Sequence, residues 1–220
     1  MQDSPYKKER QAVADCMARL YQTRLTTTSG GNISLRLPDG CFCITPSRLD
    51  KGKLTADLIA IVDAEGNNLT PGLPLSIESE MHRRILLNRP DISVVVHAHP
   101  CFATTFTAMK SHTINTRLTA EAFFLLGEPA FAPYHRMGSV ALADTVVASL
   151  GQKAVVLLEN HGVLTVGKTL LEAFDLIEVL EQAAKMTVIT DLMGNAGYVV
   201  QALDESQCNE LIDMKSMGKP

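Results

Sequence analysis

The chain has 220 residues, of which 46% are apolar and 20% charged, so it is not a disordered chain and is expected to form a single domain over residues 1–220. A net charge of −4 without a basic cluster argues against a nucleic-acid partner, and no apolar stretch reaches the length of about 20 residues that a membrane span needs. The start lacks the apolar segment of a secretory signal and the five cysteines are odd in number, which favours a cytoplasmic protein with reduced thiols.

The first half of the sequence is predicted to contain two helices and three strands. Ser4-Pro5 is typical of an N-cap followed by proline at the first helical position, and Pro38-Asp39-Gly40 is typical of a turn between antiparallel strands. In chain order, the predicted elements are a helix at 5–23, strands at 33–37, 41–45 and 58–63, and a helix at 76–88.

The second half alternates short apolar strands with helices. The predicted strands lie at 93–99, 130–134, 154–159 and 163–167, and the predicted helices at 100–109, 119–126, 139–150, 169–193 and 204–215. Gly194 is the predicted end of the long helix, because glycine commonly follows a helix C-terminus. The pattern indicates an α/β or α+β fold built on one layered sheet.

Histidines follow two of the apolar strands. His97 and His99 come at the end of the run beginning at Val94, and side chains two residues apart on a strand lie on one face, about 6.5 to 7 Å apart, so both rings can reach one metal ion. The strand at 154–159 leads into Asn160-His161-Gly162, which makes His161 a candidate third ligand of a catalytic-type site with an open position. The alternative is a set of hydrogen-bonded or exposed histidines without a metal.

Two carboxylates lie in the first turn of the helix that Ser76 is predicted to open. Glu78 is a candidate fourth ligand of the metal. Carboxylates such as Glu78 and Glu80 also favour helix N-termini because of the helix dipole, so the residues alone leave both explanations open.

The segment TTTSGGNIS at 26–34 predicts an anion site. Its glycines allow a close approach of the backbone, and its hydroxyl, amide and N–H groups suit a phosphate. The hydroxyls of Thr45-Pro46-Ser47 and Ser76 lie on further loops that can close on the same anion. A plain polar turn is the alternative, and a nucleotide-binding P-loop is excluded because the segment has no Walker lysine and no helix follows it.

Five motifs in this order and spacing resemble the class II aldolase/adducin family. They are S-G-G-N-I-S at 29–34, I-T-P-S at 44–47, S-x-E-x-x-x-H at 76–82, R-P-D-x-x-x-V-V-H-A-H at 89–99 and E-N-H-G at 159–162. The resemblance runs over nearly the whole chain and is greatest to the fuculose-phosphate aldolase type. It implies a three-layer α/β/α fold with a central, largely antiparallel sheet, and a homotetramer with active sites between adjacent subunits.

The resemblance also implies a metal site. It assigns one divalent ion per subunit, zinc or another such as Mn²⁺ or Co²⁺, to His97, His99 and His161. Glu78 matches the glutamate that completes the metal shell and moves the proton in the aldolases. His82 matches a histidine of the family that is expected to pack and form hydrogen bonds rather than to act as a fifth ligand.

On the substrate side, the chain both matches and departs from the family. The positions that resemble the phosphate pocket, or adjoin it, are Ser29, Gly30, Asn32, Ser47 and Ser76. Arg48 stands where the aldolases have glycine, and its guanidinium can pair with a phosphate or carboxylate or lie in solvent. Leu118 replaces one proton-donor tyrosine of the aldolases, and the second is also missing. Glu121 matches an acidic residue of the epimerase and dehydratase members and is the candidate second acid/base; its alternative role is a helix N-terminal carboxylate.

The resemblance implies an enzyme. The expected function is a metal-dependent lyase that performs reversible retro-aldol cleavage of a small, phosphorylated ketose through a metal-stabilised enediolate. Epimerisation, dehydration or decarboxylation of a sugar phosphate uses the same chemistry with a differently placed second acid/base. A non-catalytic, adducin-like binding module is the remaining alternative, and four retained ligands argue against it.

Overall fold

The computed structural model describes residues 5–217 and consists of one sheet with helices on both faces. Within these residues the strands are β1 (Asn32–Arg36), β2 (Phe42–Ile44), β3 (Ala60–Val62), β4 (Val94–Ala98), β5 (Ala130–Ala132), β6 (Val155–Leu158) and β7 (Gly162–Gly167). The α-helices are α1 (Lys7–Gln22), α2 (Ser79–Asn88), α3 (Cys101–Phe106), α4 (Ala120–Leu126), α5 (Val140–Leu150), α6 (Leu170–Asn195) and α7 (Glu205–Ser216).

The seven strands within residues 5–217 are ordered β3-β2-β1-β4-β7-β6-β5. Each neighbouring pair is antiparallel except β5 and β6, which are parallel. The prediction of a largely antiparallel sheet is therefore confirmed, and β4, which carries the two histidines, lies at its centre. A central strand is held by hydrogen bonds on both sides, so it presents its side chains from a rigid position.

Two separate apolar clusters cover the two faces of the sheet. Val94 and Val96 belong to the cluster formed with α1, α3, α4 and α6. Val95, between them, belongs to the cluster formed with α2 and α5. Since successive side chains of a strand point to opposite faces, a continuous run of valines is what a strand buried on both faces requires. The predicted three-layer α/β/α fold is confirmed.

Several predicted boundaries were wrong or lie outside the described residues. Ser4, the predicted N-cap of the first helix, lies outside the described residues. The helix predicted to open at Ser76 begins instead at Ser79, after a turn in which the Ser79 amide bonds to the Ser76 carbonyl at 3.0 Å. Gly194 lies inside α6 rather than past its end, and the chain leaves the helix at Gly197, which has a φ of 90°. A helix end favours glycine only where the backbone takes a positive φ, and Gly194 does not have a positive φ.

None of the helices within residues 5–217 has the length and apolar character of a transmembrane span. The five cysteines are all free thiols, as predicted.

Candidate functional site

His97 is buried at the end of β4 on the face that α2 covers. Its Nδ1 donates a hydrogen bond to the carbonyl oxygen of Val163 on the adjacent strand β7, at 2.9 Å. This bond fixes the tautomer, so the lone pair of Nε2 is left free to bind a ligand. The Nε2 atom is buried and has no hydrogen-bond partner among the described residues.

His161 reaches the same place by a route that the sequence did not predict. The histidines were expected on two neighbouring strand ends, but β6 is not a neighbour of β4. Instead, the turn after β6 passes through Asn160, at a φ of 52°, and places His161 immediately before β7. Because β7 runs antiparallel to β4, with Val163 opposite Ala98, its beginning lies beside the end of β4.

The three imidazoles converge. The ring centroid of His97 lies 4.7 Å from that of His99 and 4.7 Å from that of His161. The centroids of His99 and His161 are 5.6 Å apart. One nitrogen of each ring lies within 4.8 Å of a nitrogen of the other two, which is close enough to share one metal ion.

Glu78 completes the cluster. It occupies the N-cap position of α2, but its side chain does not cap the helix. The carboxylate turns towards the sheet, where Oε1 lies 3.2 Å from His161 Nε2 and Oε2 lies 3.4 Å from His97 Nε2. The dipole explanation of this residue therefore fails, since its carboxylate faces the imidazoles and not the amides of the helix. Glu80, by contrast, forms ion pairs with Arg83 and Arg84 on the surface of α2.

The charge states suit a divalent cation. Burial and the neighbouring His97 lower the pKa of His99 to about 3, and burial likewise lowers the pKa of His161. Burial alone raises the pKa of Glu78, but His97, Asn32 and His161 outweigh it and bring that pKa down to about 2. Two neutral imidazoles and a carboxylate at neutral pH are the forms that zinc and similar ions bind.

The residues present fit a metal ion. His97 Nε2 and Glu78 Oε1 are buried polar atoms that have no hydrogen-bond partner among residues 5–217. A buried polar atom without a partner costs free energy, and a cation held between the two atoms would remove that cost. The three histidines together with Glu78 therefore form a candidate metal site.

Two glycines leave room for the histidines. A Cβ at Gly162 would lie 2.5 Å from Cδ2 of His99. A Cβ at Gly31, which has a φ of 69°, would lie 2.7 Å from the carbonyl oxygen of His97. The glycines of the SGG and NHG motifs thus let two loops pack directly against the metal ligands.

A hydrogen-bonded chain holds the carboxylate in place. Asn32, which lies opposite His97 on β1, donates from Nδ2 to Glu78 Oε2 at 2.7 Å. Its Oδ1 must therefore face His82, whose Nε2–H donates to it at 2.5 Å, while His82 Nδ1 accepts from Ser34 Oγ at 2.7 Å. His82 is buried and forms both of these hydrogen bonds, so it has the packing role that the sequence predicted.

A cavity of about 410 Å³ opens onto the candidate metal site. It brings together most of the predicted site residues: Ser29, Gly30, Asn32, Ser76, Glu78, His99 and His161. Ser47, Arg48 and Glu121 are not among its lining residues. Arg48 is exposed and has a φ of 61°, the left-handed conformation that the glycine of the aldolase pattern adopts without strain.

Five cavity residues were not among the predicted site residues: Gly31, Lys51, Ile77, Met137 and Asn160. Three of them differ in how they could have been found. Asn160 lies within the E-N-H-G motif, so the motif itself was a signal. Met137 and Lys51 lie in loop and turn segments whose composition is typical of a solvated surface, and nothing local indicates that they face the cavity.

The chain was compared with known proteins. Residues 11–188 match the profile of the Class II Aldolase and Adducin N-terminal domain. An L-fuculose phosphate aldolase of Methanococcus maripaludis is 37% identical over 171 residues, covering 77% of this chain and 91% of that protein. A 3-oxo-tetronate 4-phosphate decarboxylase of Haemophilus influenzae is 30% identical over 202 residues, covering 90% of this chain and 92% of that protein. The crystal structure of YgbL from Escherichia coli superposes with a TM-score of 0.85 at 26% identity, covering 93% of this chain and 98% of that one.

Proposed function

Because this chain belongs to the class II aldolase and adducin family, we propose that it is a metal-dependent lyase that cleaves a small phosphorylated ketose. The observation that carries the proposal is the convergence of three imidazoles and one buried carboxylate, with His97 Nε2 and Glu78 Oε1 left without a hydrogen-bond partner among residues 5–217. Zinc is the ion that this set of nitrogen and oxygen ligands favours, with other divalent ions as substitutes.

A divalent ion bound here would polarise the carbonyl of the substrate and stabilise the negative charge that develops beside it. The protein supplies the proton transfer. Glu78 is ionised at neutral pH, so it can accept a proton from the substrate. Asn32 binds its Oε2, which leaves Oε1, the oxygen that faces the candidate metal ion, as the one that would either bind the ion or take the proton. A positioned carboxylate of this kind contributes roughly 10²- to 10⁴-fold to the rate.

We assign the second acid/base of the proposed reaction to Glu121 of a neighbouring copy of the chain. Glu121 is exposed on α4, and this helix packs mainly against α6, α7 and the short turn Thr116–Leu118, away from the cavity. If Glu121 acts in the cavity, it must then come from another subunit. The proposal therefore includes an oligomer with sites between adjacent subunits, and the homotetramer is the form that the family resemblance implies.

Decarboxylation of a phosphorylated 3-oxo acid is the second candidate. The decarboxylase of Haemophilus influenzae aligns over 202 residues of this chain, further than the 171 residues of the Methanococcus aldolase. Decarboxylation of a 3-oxo acid and retro-aldol cleavage both develop negative charge next to a carbonyl group, so a divalent ion held by the three histidines and Glu78 would support either reaction. Epimerisation and dehydration remain rivals within the same chemistry, and an adducin-like binding module would not need a metal.

The test is metal analysis followed by a substrate panel. Protein purified without chelators is expected to carry close to one divalent ion per chain, and less than a tenth of an equivalent would overturn the enzymatic proposal. The metal-loaded protein is then assayed against ketose phosphates and phosphorylated 3-oxo acids, with aldehyde release, carbon dioxide release, epimer formation and dehydration measured separately. Aldehyde release is the result expected for the proposed lyase, and carbon dioxide release alone would favour the second candidate.

A further inference from the structure

The cavity contains one buried cation that the proposed reaction does not use. Lys51 exposes only 2% of its surface, yet it begins a 3₁₀ turn (Lys51–Lys53) in a charged loop. Lys53, in the same turn, leaves 84% of its side chain exposed and lies 3.7 Å from Asp50. The two lysines thus have opposite environments, although they are two residues apart.

The ammonium of Lys51 has few partners. Its Nζ donates one hydrogen bond, to the carbonyl oxygen of Pro46 at 2.5 Å, and no carboxylate among residues 5–217 lies within ion-pair distance of it. An ammonium group has three N–H donors, so two are left for other acceptors. A buried charge without a counter-ion destabilises the folded protein unless an anion compensates it.

The lysine is charged at neutral pH. Burial lowers its pKa to about 8, and the negative charge of Glu78 acts in the opposite direction. Glu78 is therefore close enough to raise the pKa of Lys51. Its carboxylate, however, contacts Asn32 and the histidines and forms no ion pair with Lys51.

The surroundings of Lys51 in the cavity suit a phosphate. The backbone N–H of Lys51 bonds to the Thr28 carbonyl at 2.9 Å, which ties its turn to the glycine-rich loop. That loop contributes Ser29 and Gly30 to the cavity, and Ser76 adds a hydroxyl from a second segment. The Ser29 and Ser76 hydroxyls are uncharged donors, so Lys51 is the cationic side chain that lines the cavity together with them. Phosphate binds such a set well, because its oxygens accept several hydrogen bonds while its charge pairs with one ammonium.

We propose that the Lys51 ammonium binds the phosphate group of the substrate, while the three histidines and Glu78 hold the metal. This inference rests on the proposed function and names the residue that recognises the anionic end of the ketose. The sequence had indicated Arg48 as the cation that pairs with the phosphate. Arg48 is exposed, however, and does not line the cavity, whereas Lys51 does.

The test uses metal-loaded protein and two chelating probes that differ by one phosphate. Glycolohydroxamate binds a divalent ion through two oxygens, as a ketose does, and its phosphate ester adds the anion. Titration calorimetry gives both affinities for the wild type, for Lys51→Met and for the matched control Lys53→Met. Methionine has a similar length without the charge, and an apolar residue in place of a buried charge is generally tolerated.

The wild type and Lys53→Met are expected to bind the phosphate ester more tightly than glycolohydroxamate. Lys51→Met is expected to lose about 10- to 100-fold in affinity for the ester, as charged hydrogen bonds typically contribute, and to bind glycolohydroxamate within about twofold of the wild type. An ester affinity within threefold of the wild type would overturn the proposal, and so would an equal loss for both probes, which would assign Lys51 to the metal site.

Two further results separate this inference from the proposed function. The monohydroxamate of succinic acid carries a carboxylate in place of the phosphate. If its affinity depends on Lys51 more strongly than that of the phosphate ester, the subsite is one for carboxylates and the inference is wrong. Wild-type protein that holds no metal would instead contradict the proposed function, whereas metal-loaded protein that binds glycolohydroxamate but gains nothing from the phosphate contradicts only the role of Lys51.

Discussion

Glu78 and Glu121 both lie at the beginning of a helix, yet their surroundings have little in common. Glu78 is 5% exposed, accepts a hydrogen bond from Asn32 and lies 3.2 Å from an imidazole nitrogen of His161. Glu121 is exposed, and its carboxylate forms no hydrogen bond or ion pair with any of residues 5–217. One chain thus brings the candidate metal ligands together and leaves Glu121, the candidate second acid/base, apart from them.

The contrast supports the proposed division of the reaction between subunits. The three imidazoles, and the Asn32 that binds Glu78, come from the centre of the sheet, at β1, the end of β4 and the beginning of β7. A carboxylate that only has to meet the substrate can lie on an exposed helix and be supplied by a second copy.

The largest expected effect is the loss of turnover when Glu78 is replaced. In Glu78→Gln the group that moves the proton is lost, so turnover is expected to fall about 10³- to 10⁴-fold. Metal content, measured by elemental analysis, should stay above half an equivalent because the three imidazoles remain. Glu80→Gln, two residues further along, removes a carboxylate that pairs with Arg83 and Arg84 on the surface and should retain activity. A Glu78→Gln enzyme within tenfold of the wild type would contradict the assignment of the base.

A somewhat smaller loss is expected for Glu121→Gln. Turnover should fall by about 10²-fold or more, with unchanged metal content, if Glu121 is the second acid/base. Unchanged activity would remove Glu121 from the mechanism.

Mixing the two variants sharpens the comparison. Glu78→Gln and Glu121→Gln chains, unfolded and refolded together, should regain about a quarter of the wild-type activity, because a quarter of the random interfaces combine an intact Glu78 with an intact Glu121. Each variant refolded alone serves as the control. No gain on mixing would mean that both groups act within one chain.

The smallest expected effect concerns stability at acidic pH. Burial lowers the pKa values of His82 and His99 to about 3, well below the value of 6.5 for an unburied histidine. Between these limits the unfolded chain binds more protons than the folded one, so stability falls as the pH is lowered from 7 to 5. The loss amounts to at most about 2 kcal/mol for each histidine. Glu78, with a pKa near 2, titrates below this window.

Urea unfolding of the metal-free protein at pH 7 and pH 5 measures this loss. Burial also lowers the pKa of His161, so His82→Gln removes one of three contributing histidines and is expected to reduce the difference between the two pH values by about a third to a half. An unfolding free energy that does not change between pH 7 and pH 5 would show that none of these histidines is held neutral by burial.

The elements of this fold follow from local patterns in the sequence. The continuous valines of β4 and the alternation in β1 predicted their strands because these patterns reflect burial on both faces or on one. The turn at residues 38–40 predicted the antiparallel pairing of β1 with β2. The spacing of His97 and His99 likewise placed two ligands on one face before any tertiary contact was known. Boundaries were less well predicted, as at Gly194, because glycine marks a helix end only where the backbone takes a positive φ.

The sequence by itself determined the layered fold, the histidine pair and the family resemblance. Each can be recognised from short segments, as the periodicity of an element, the spacing of two histidines or a set of motifs in a fixed order. Only the tertiary structure decided the rest. His161 joins the site because β7 pairs with β4, Glu78 turns away from its helix because Asn32 binds it, and Lys51 is buried while Lys53 is not. These outcomes depend on strand pairing and burial between segments far apart in sequence, and no local pattern records which distant groups will surround a side chain.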